Sequence, residues 1–209
     1  MIWLTLLAAL ACGAWVYLVA FHGRFWLASE RLGAAPAPAA WPAVSVVVPA
    51  RNEAETIGAT LRSLLAQDYP GSLRIVLVDD SSTDGTGDIG RALAQAAPGR
   101  LRVAVGAPLA AGWTGKLWAL SQGIAACLDG APETRFLLLT DADIVHPPDL
   151  IRRLVAKAEM ERRDLVSLMV RLNCTSAWER LLIPAFVFFF QKLYPFPLDR
   201  KSTRLNSSH

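Results

Sequence analysis

Charge and cysteine are what this sequence of 209 residues has little of. Only 19% of its residues are charged, while 53% are hydrophobic. That balance is more apolar than an ordinary soluble domain, so part of the surface is expected to meet lipid. The three cysteines, Cys12, Cys127 and Cys174, are odd in number and show no CxxC spacing. They argue against a disulfide framework and a zinc site, and for buried thiols in a reducing compartment. A basic surplus is missing as well. The formal net charge is +3, but Arg200, Lys201 and Arg204 against Asp199 put +2 of it in the final eleven residues, leaving +1 for the rest. That is no electrostatic footprint for nucleic acid. The chain also lacks internal repeats, and its length suffices for one sizeable domain with a core of its own.

One long hydrophobic run is present. Residues 2–21 (IWLTLLAALACGAWVYLVAF) hold no charge, and a bilayer core needs about 20 apolar residues in a helix. A cleaved signal peptide would bring a basic leader and a shorter apolar stretch. Here no Lys or Arg precedes the run, and the small-residue string GAAPAPAA begins well after it. Residues 1–22 therefore read as a transmembrane anchor, with Trp3, Trp15 and Tyr17 suited to its interfaces. Arg24 and Arg31 follow, which by the positive-inside rule places the downstream domain in the cytoplasm. Residues 23–42 form a linker, rich in Ala and Pro from Leu32 to Pro42. A second apolar run, residues 181–190, is short for spanning. An interfacial or re-entrant helix and plain core both fit it, and Phe186, Phe188, Phe189 and Phe190, crowding every face, tilt the reading towards membrane contact. The last eleven residues, DRKSTRLNSSH, break this pattern and resemble the translation of a sequencing adapter. Residues 199–209 are expected to be a non-native tail, with the native protein continuing beyond Leu198.

Between linker and tail, residues 43–198, β-rich apolar runs alternate with helical patterns. Strands are expected at 44–48, 73–78, 101–105 and 136–140, with a further one at 165–170. Helices are expected at 55–67, 84–96, 116–128 and 148–161. The first helix carries Ile57, Leu61, Leu64 and Leu65 on one face, with Asn52 and Glu55 as a start signal like a capping box. Pro148 suits the start of the last. Strand and helix in alternation imply an α/β fold: a mostly parallel sheet with helices on both faces. Such sheets bind ligands beyond the C-terminal ends of their strands.

Three strand ends carry polar signals there: PARNE (residues 49–53), DDSSTDGT (79–86) and DAD (141–143). Carboxylates at i and i+2 can divide the work, one ligating a hard divalent cation and the other reaching a ribose or a water. Read alone, DAD is better explained by a capping turn before Pro147 and Pro148. In DDSSTDGT, an Asp can accept a hydrogen bond from a ring N–H such as that of uracil, while turn chemistry is the plain alternative and Asp84 is most simply a cap. GTGDIG, residues 85–90, is a decoy: six polar residues separate it from the strand, and no acid ends the next strand, so the nicotinamide reading fails. GWTGK, residues 112–116, is no P-loop, since Ala110 and Leu117 stand where that motif needs Gly and Ser or Thr. Lys116 at a helix start fits a cation offered to a diphosphate or sugar hydroxyl, and equally a solvated surface lysine. His146 reads as a loop histidine satisfied by hydrogen bonds rather than a metal ligand. Trp113 and Trp118 fit a sugar site or the core. Arg152, Arg153, Lys157, Arg162 and Arg163 read as a solvated helix face, able to touch anionic lipid beside a bilayer.

Taken in order, VSVVVPARNEAETIGATLRSLLAQDYP, IVLVDDSSTDGT, GWTGK and LLLTDADIVHPPDLI resemble a family-2 glycosyltransferase of the GT-A type over residues 44–170. Residues 167–196 look like its hopanoid-biosynthesis-associated branch. The resemblance implies a GT-A-like nucleotide-diphospho-sugar transferase fold and transfer of a sugar from a nucleotide-sugar, a UDP-sugar above all, to a lipid-like acceptor, with inversion at the anomeric carbon. It implies the cytoplasmic face of a bacterial inner membrane. It also implies that Pro49, Ala50, Arg51 and Glu53 border the nucleotide, that Asp80 receives the base, and that Lys116 assists ribose or phosphate. Asp141 would contact the ribose side, and Asp143, with Asp141, would ligate Mn2+ or Mg2+. The acidic catalytic base is expected beyond residue 198. Glu159, Glu161 and Glu179 are available carboxylates that nothing puts in position. A nucleotidyltransferase would want a Gly-rich loop after the first strand, which PARNE is not. A membrane-anchored fragment that binds nucleotide without turnover is the non-enzymatic alternative.

Overall fold

A computed structural model describes residues 1–27, 31–33 and 36–196; the tail expected at 199–209 lies outside them. In chain order the elements are α1 (Ile2–Ala20), β1 (Ala43–Ala50), α2 (Ile57–Leu65), β2 (Leu73–Asp79), α3 (Thr86–Ala96), β3 (Leu101–Val105), α4 (Gly115–Gly130), β4 (Thr134–Leu139), α5 (Leu150–Glu161) and α6 (Ala177–Leu193). Contacts divide the chain into two compact units. One is residues 33–168; the other joins residues 1–32 to the segment from 169 onward.

The first unit is built on a four-stranded sheet in the order β3-β2-β1-β4, with every pairing parallel. Side chains of a strand alternate between faces, and this sheet is apolar on both. Val44, Val46, Val48 and Ala50 join Ile75 and Leu77 in a core with Ile57, Leu61 and Leu64 of α2 and Ile151 and Val155 of α5. Ile89 and Leu93 of α3 pack against the same core. Val47, Val76 and Val78 face the other way, onto Ala119 and Cys127 of α4. Covering both faces is what lets strands of nearly unbroken valine, isoleucine and leucine form a parallel sheet. At the sheet's margin, Leu137 and Leu139 of β4 are exposed.

The second unit holds α1 and α6. α1 is 19 residues long, about 28 Å at the helical rise, and none of its apolar side chains is buried. It is the one described helix long and apolar enough to cross a bilayer. α6 opens on a capping box in which the Ser176 side chain accepts from the Glu179 N–H and the Glu179 carboxylate accepts from the Ser176 N–H.

The structure corrects the sequence reading in several places. Of the three thiols expected to be buried, only Cys127 is, while Cys12 is exposed and Cys174 half-buried. Residues 165–170 form no strand and take no part in the sheet. α2 begins at Ile57 with Thr56 at its cap and no side-chain capping bond. Asn52, taken as part of a capping box, is instead held at φ 56° with its side chain turned to another loop.

α4 lies close against the sheet because Gly123 is small. A Cβ at Gly123 would stand 2.3 Å from Cγ1 of Val47 and 2.9 Å from Cγ2 of Val78, two branched side chains in the core. Gly123→Ala is expected to cost about 1–3 kcal/mol through overpacking. Thermal unfolding of the full chain in detergent would show it as a lowered midpoint, and an unchanged midpoint would contradict this packing.

Candidate functional site

A parallel sheet delivers the C-terminal ends of all its strands to one edge, and here the polar segments after β1, β2 and β4 gather there. Pro49 helps to open that edge. Even-numbered residues of β1 bond to the β2 side, as in Val44 N–H to Ser72 O and Asp80 N–H to Ala50 O; odd-numbered ones face β4, as in Thr140 N–H to Val47 O. Pro49 therefore turns its missing N–H towards β4, beyond the last paired residues, Val47 and Leu139. The ladder loses no bond there, which is what a proline in a central strand requires.

The loops after β1 and β2 are tied to each other. The Asn52 N–H donates to Ser82 Oγ at 3.0 Å, and the Thr83 N–H donates to Asn52 Oδ1 at 2.9 Å. The Glu53 N–H donates to Thr86 Oγ1 at 2.8 Å and the Ala54 N–H to Asp84 Oδ2 at 2.9 Å. Glu53 turns its own carboxylate onto the Thr56 hydroxyl at 3.1 Å. Asp84 also accepts from the Thr86 N–H and hydroxyl at the start of α3; the N-cap itself is Gly85, with no side-chain capping bond, so Asp84, expected to be the cap, stands one residue before it and bridges the loops. These bonds, the Thr86 hydroxyl first and the Ala54 N–H next, hold its carboxyl below the usual range.

The two adjacent acids divide their duties. Asp79 is buried, accepts from the Ser82 N–H at 3.1 Å and faces Gly87 in the first turn of α3, where a Cβ would stand 2.1 Å from its Oδ2. Asp80 faces the crevice. Its side chain is 16% exposed and Oδ2 lies 3.7 Å from Arg51 Nη1. Gly106 and Gly115 border it: an added Cβ would stand in ordinary contact with its carboxylate oxygens, at 3.4 Å and 3.5 Å. Gly115 opens α4, and the next residue, Lys116, places Nζ 2.6 Å from Asp141 Oδ1. Two ion pairs thus stand at this edge: Arg51–Asp80 from the loops after β1 and β2, and Lys116–Asp141 from α4 and the loop after β4.

The DAD loop is clamped from below by a polar stripe of α2 and its C-terminal turn. The buried Thr60 hydroxyl donates to Ala142 O at 2.7 Å, between the two acids. Ser63 Oγ accepts from the His146 N–H, and Gln67 donates to Pro147 O at 2.7 Å and accepts from the Ile151 N–H. The sequence reading singled out only the apolar face of this helix. Its signal for the clamp was the Thr60, Ser63, Gln67 spacing, which keeps three polar side chains on one side. Asp143 stands exposed on the clamped loop and makes no hydrogen bond or ion pair with the described residues. His146 is buried, bonded to Thr140 Oγ1 at 3.1 Å, and its desolvation favours the neutral ring; it is a structural histidine. Among the described residues no three His, Cys, Asp or Glu side chains cluster as a metal cage. The donor set fits a hard cation that takes one or two carboxylates and fills its other positions from phosphate and water.

Other candidates are engaged elsewhere. Glu159 pairs with Arg135, Glu161 with Lys157 and Arg163, and Glu179 is a helix cap. Arg152 pairs with Asp68, in keeping with a solvated basic face. Trp118 donates from Nε1 to Ala107 O and Pro108 O and packs 5.4 Å from Trp113, which is exposed. The expected base, beyond residue 198, lies outside the described residues.

Two outcomes follow from these bonds. Thr60→Val keeps the shape but leaves a buried carbonyl without its donor, and is expected to cost about 1–3 kcal/mol; a thermal midpoint equal to wild type would contradict the clamp. Because the Asp84 carboxyl is held low, its contribution is complete above the ordinary carboxylate range and is lost as pH falls through the lowered value. Melts across the acid range are expected to fall more steeply for wild type than for Asp84→Asn, and parallel curves would contradict that role.

Comparison with known proteins agrees with this arrangement. The chain is 36% identical over 116 residues to a beta-monoglucosyldiacylglycerol synthase of Synechocystis sp., covering 55% of this chain and 22% of that protein. It is 34% identical over 139 residues to an undecaprenyl-phosphate 4-deoxy-4-formamido-L-arabinose transferase of Serratia proteamaculans, covering 66% of this chain and 39% of that protein. It thus spans less than half the length of these curated relatives. Its fold matches a mannosyltransferase from Pyrobaculum calidifontis, solved in complex with GDP-Man and Mn2+, with a TM-score of 0.54 and 28% identity over 72% of this chain and 42% of that one. The sequence pattern of the group described as Glycosyl transferase family 2 matches residues 45–207, and with a GT-A-like sheet beneath that match the chain belongs to this family.

Proposed function

We propose that this chain is the donor-binding part of a membrane-anchored glycosyltransferase that moves a sugar from a nucleoside-diphospho-sugar to a lipid-like acceptor. The observation that carries the reading is the convergence of the Arg51–Asp80 and Lys116–Asp141 pairs and the unpaired Asp143 on one sheet edge. β1 separates β2 from β4, so their tips stand roughly 10 Å apart at the usual strand spacing. That span suits a ligand with a base at one end and a diphosphate at the other.

In this reading Asp80 accepts from a base N–H, uracil being the ring of choice, and Arg51 fixes its orientation. Pro49, Ala50 and Glu53 border the nucleoside. Lys116 turns from Asp141 to a phosphate oxygen, and Asp141 meets the ribose side. Asp143 holds Mn2+ or Mg2+, with Asp141 as its neighbour. A bound divalent cation supplies charge neutralisation for the departing nucleoside diphosphate. Transfer with inversion follows the family likeness, and no base is assigned within the chain. The anchor is α1, with the sheet on the cytoplasmic side of a bacterial inner membrane. The lipids in both relatives' names, a diacylglycerol and an undecaprenyl phosphate, support a lipid acceptor. A place in hopanoid lipid biosynthesis rests on the likeness of residues 167–196.

Thermal protection of the full-length protein tests this. In the presence of Mn2+, UDP at about 100 times its dissociation constant is expected to bring about 2.7 kcal/mol of stabilisation, and GDP less; the part of it that depends on Mn2+ is expected to be lost in Asp143→Ala. Equal protection of wild type and Asp143→Ala would remove the metal role, and no protection by any nucleoside diphosphate would remove the reading itself.

A further inference from the structure

α6 is apolar on every side from Leu181 to Phe190, with Glu179 and Arg180 before that stretch and Gln191 and Lys192 after it. A helix of this kind needs apolar surroundings around its whole girth. Protein supplies them on one side only. Ile183, Val187 and Phe190, spaced four and three residues apart, are half-buried. Leu181, Leu182, Phe186 and Phe189 are bare, Phe186 at 61% exposure.

Three contacts within the unit fix where α6 sits along α1. Lys192 Nζ lies over the Trp15 ring at 5.1 Å from its centroid. His22 Nε2 is 2.9 Å from Lys192 O, and Phe25 meets Phe188 edge-on at 5.2 Å. Trp15 belongs to the last turns of α1, and His22 and Phe25 follow its end. The C-terminal half of α6 is therefore level with the point at which a spanning α1 leaves the hydrocarbon. The apolar stretch is too short to cross: about 15 Å at the helical rise against a core of about 30 Å. Its other end is polar. The N–H groups of Ser176 and Thr175 hold the Glu179 carboxyl down to about 2, so that end carries charge and stays with water.

We propose that α6 lies in the plane of the membrane surface, its bare face seated among lipid headgroups and upper acyl chains beside the exit of α1. This occupant follows from continuity with α1, and so rests on α1 being a membrane span. Lys192 then extends its ammonium to the headgroups while its stem covers Trp15. The face gives a lipid-like acceptor a protein surface at the level where its headgroup leaves the bilayer.

The test uses the full chain, with Cys174→Ser, in phosphatidylethanolamine–phosphatidylglycerol vesicles whose lipids carry a nitroxide high or low on the acyl chain. An environment-sensitive fluorophore on native Cys12 reports α1. With Cys12→Ser, the fluorophore on Phe186→Cys reports α6, and on Asp129→Cys it reports the water-exposed sheet unit. At position 186 the high nitroxide is expected to quench about twofold more than the low one, as for a helix seated ~5–10 Å deep, with little quenching by aqueous iodide. Iodide quenching at 186, stronger quenching by the low nitroxide, or shielding from both would each overturn the proposal. Leu182→Cys repeats the reading at a second bare position, so failure of one variant to fold leaves the other decisive. If Cys12 escapes the low nitroxide, the span itself is wrong; if Cys12 is quenched and 186 is not, only the placement of α6 is.

Discussion

Everything at the crevice depends on the four strands running parallel. Parallel order brings the ends of β1, β2 and β4 to one edge, and residues as far apart in sequence as Arg51 and Asp141 then share a mouth. The pairings exist because both faces of the sheet are covered, by α2, α3 and α5 on one side and α4 on the other. The hydrophobic effect thus sets where the acids can stand, although no acid takes part in it.

On that frame, polar bonds do finer work. The loops after β1 and β2 hold each other through Asn52, Asp84 and Thr86, while the loop after β4 is held by Thr60, Ser63 and Gln67. These side chains fix backbone, and they leave Asp80, Lys116, Asp141 and Asp143 to face outward. Adjacent carboxylates with opposite duties show the same division: Asp79 braces the turn before α3 and Asp80 borders the opening.

Strand and helix order was legible because periodicity reports burial directly: the valine run of β1 and the 3.6-residue pattern of α2 admit few other folds. The acids could be placed on one edge for the same reason. What the letters concealed was pairing. Asn52 reads locally as a cap because Asn and Glu at that spacing do cap helices; its real partner, Thr83, is 31 residues away. The run at 165–170 has strand-like composition, but it takes no part in the sheet. The grip of Thr60 on Ala142 spans 82 residues; the spacing of Thr60, Ser63 and Gln67 marks a polar side of the helix and does not name its partner.

The account's central claim is that these strand tips hold one metal-bound nucleotide. A crystal structure of the full-length protein with UDP and Mn2+, with the metal located by its anomalous scattering, tests it most directly. The account predicts the metal at Asp143 and the base against Asp80 and Arg51. A nucleotide bound at another face of the sheet, or a metal peak away from the loop after β4, would contradict it.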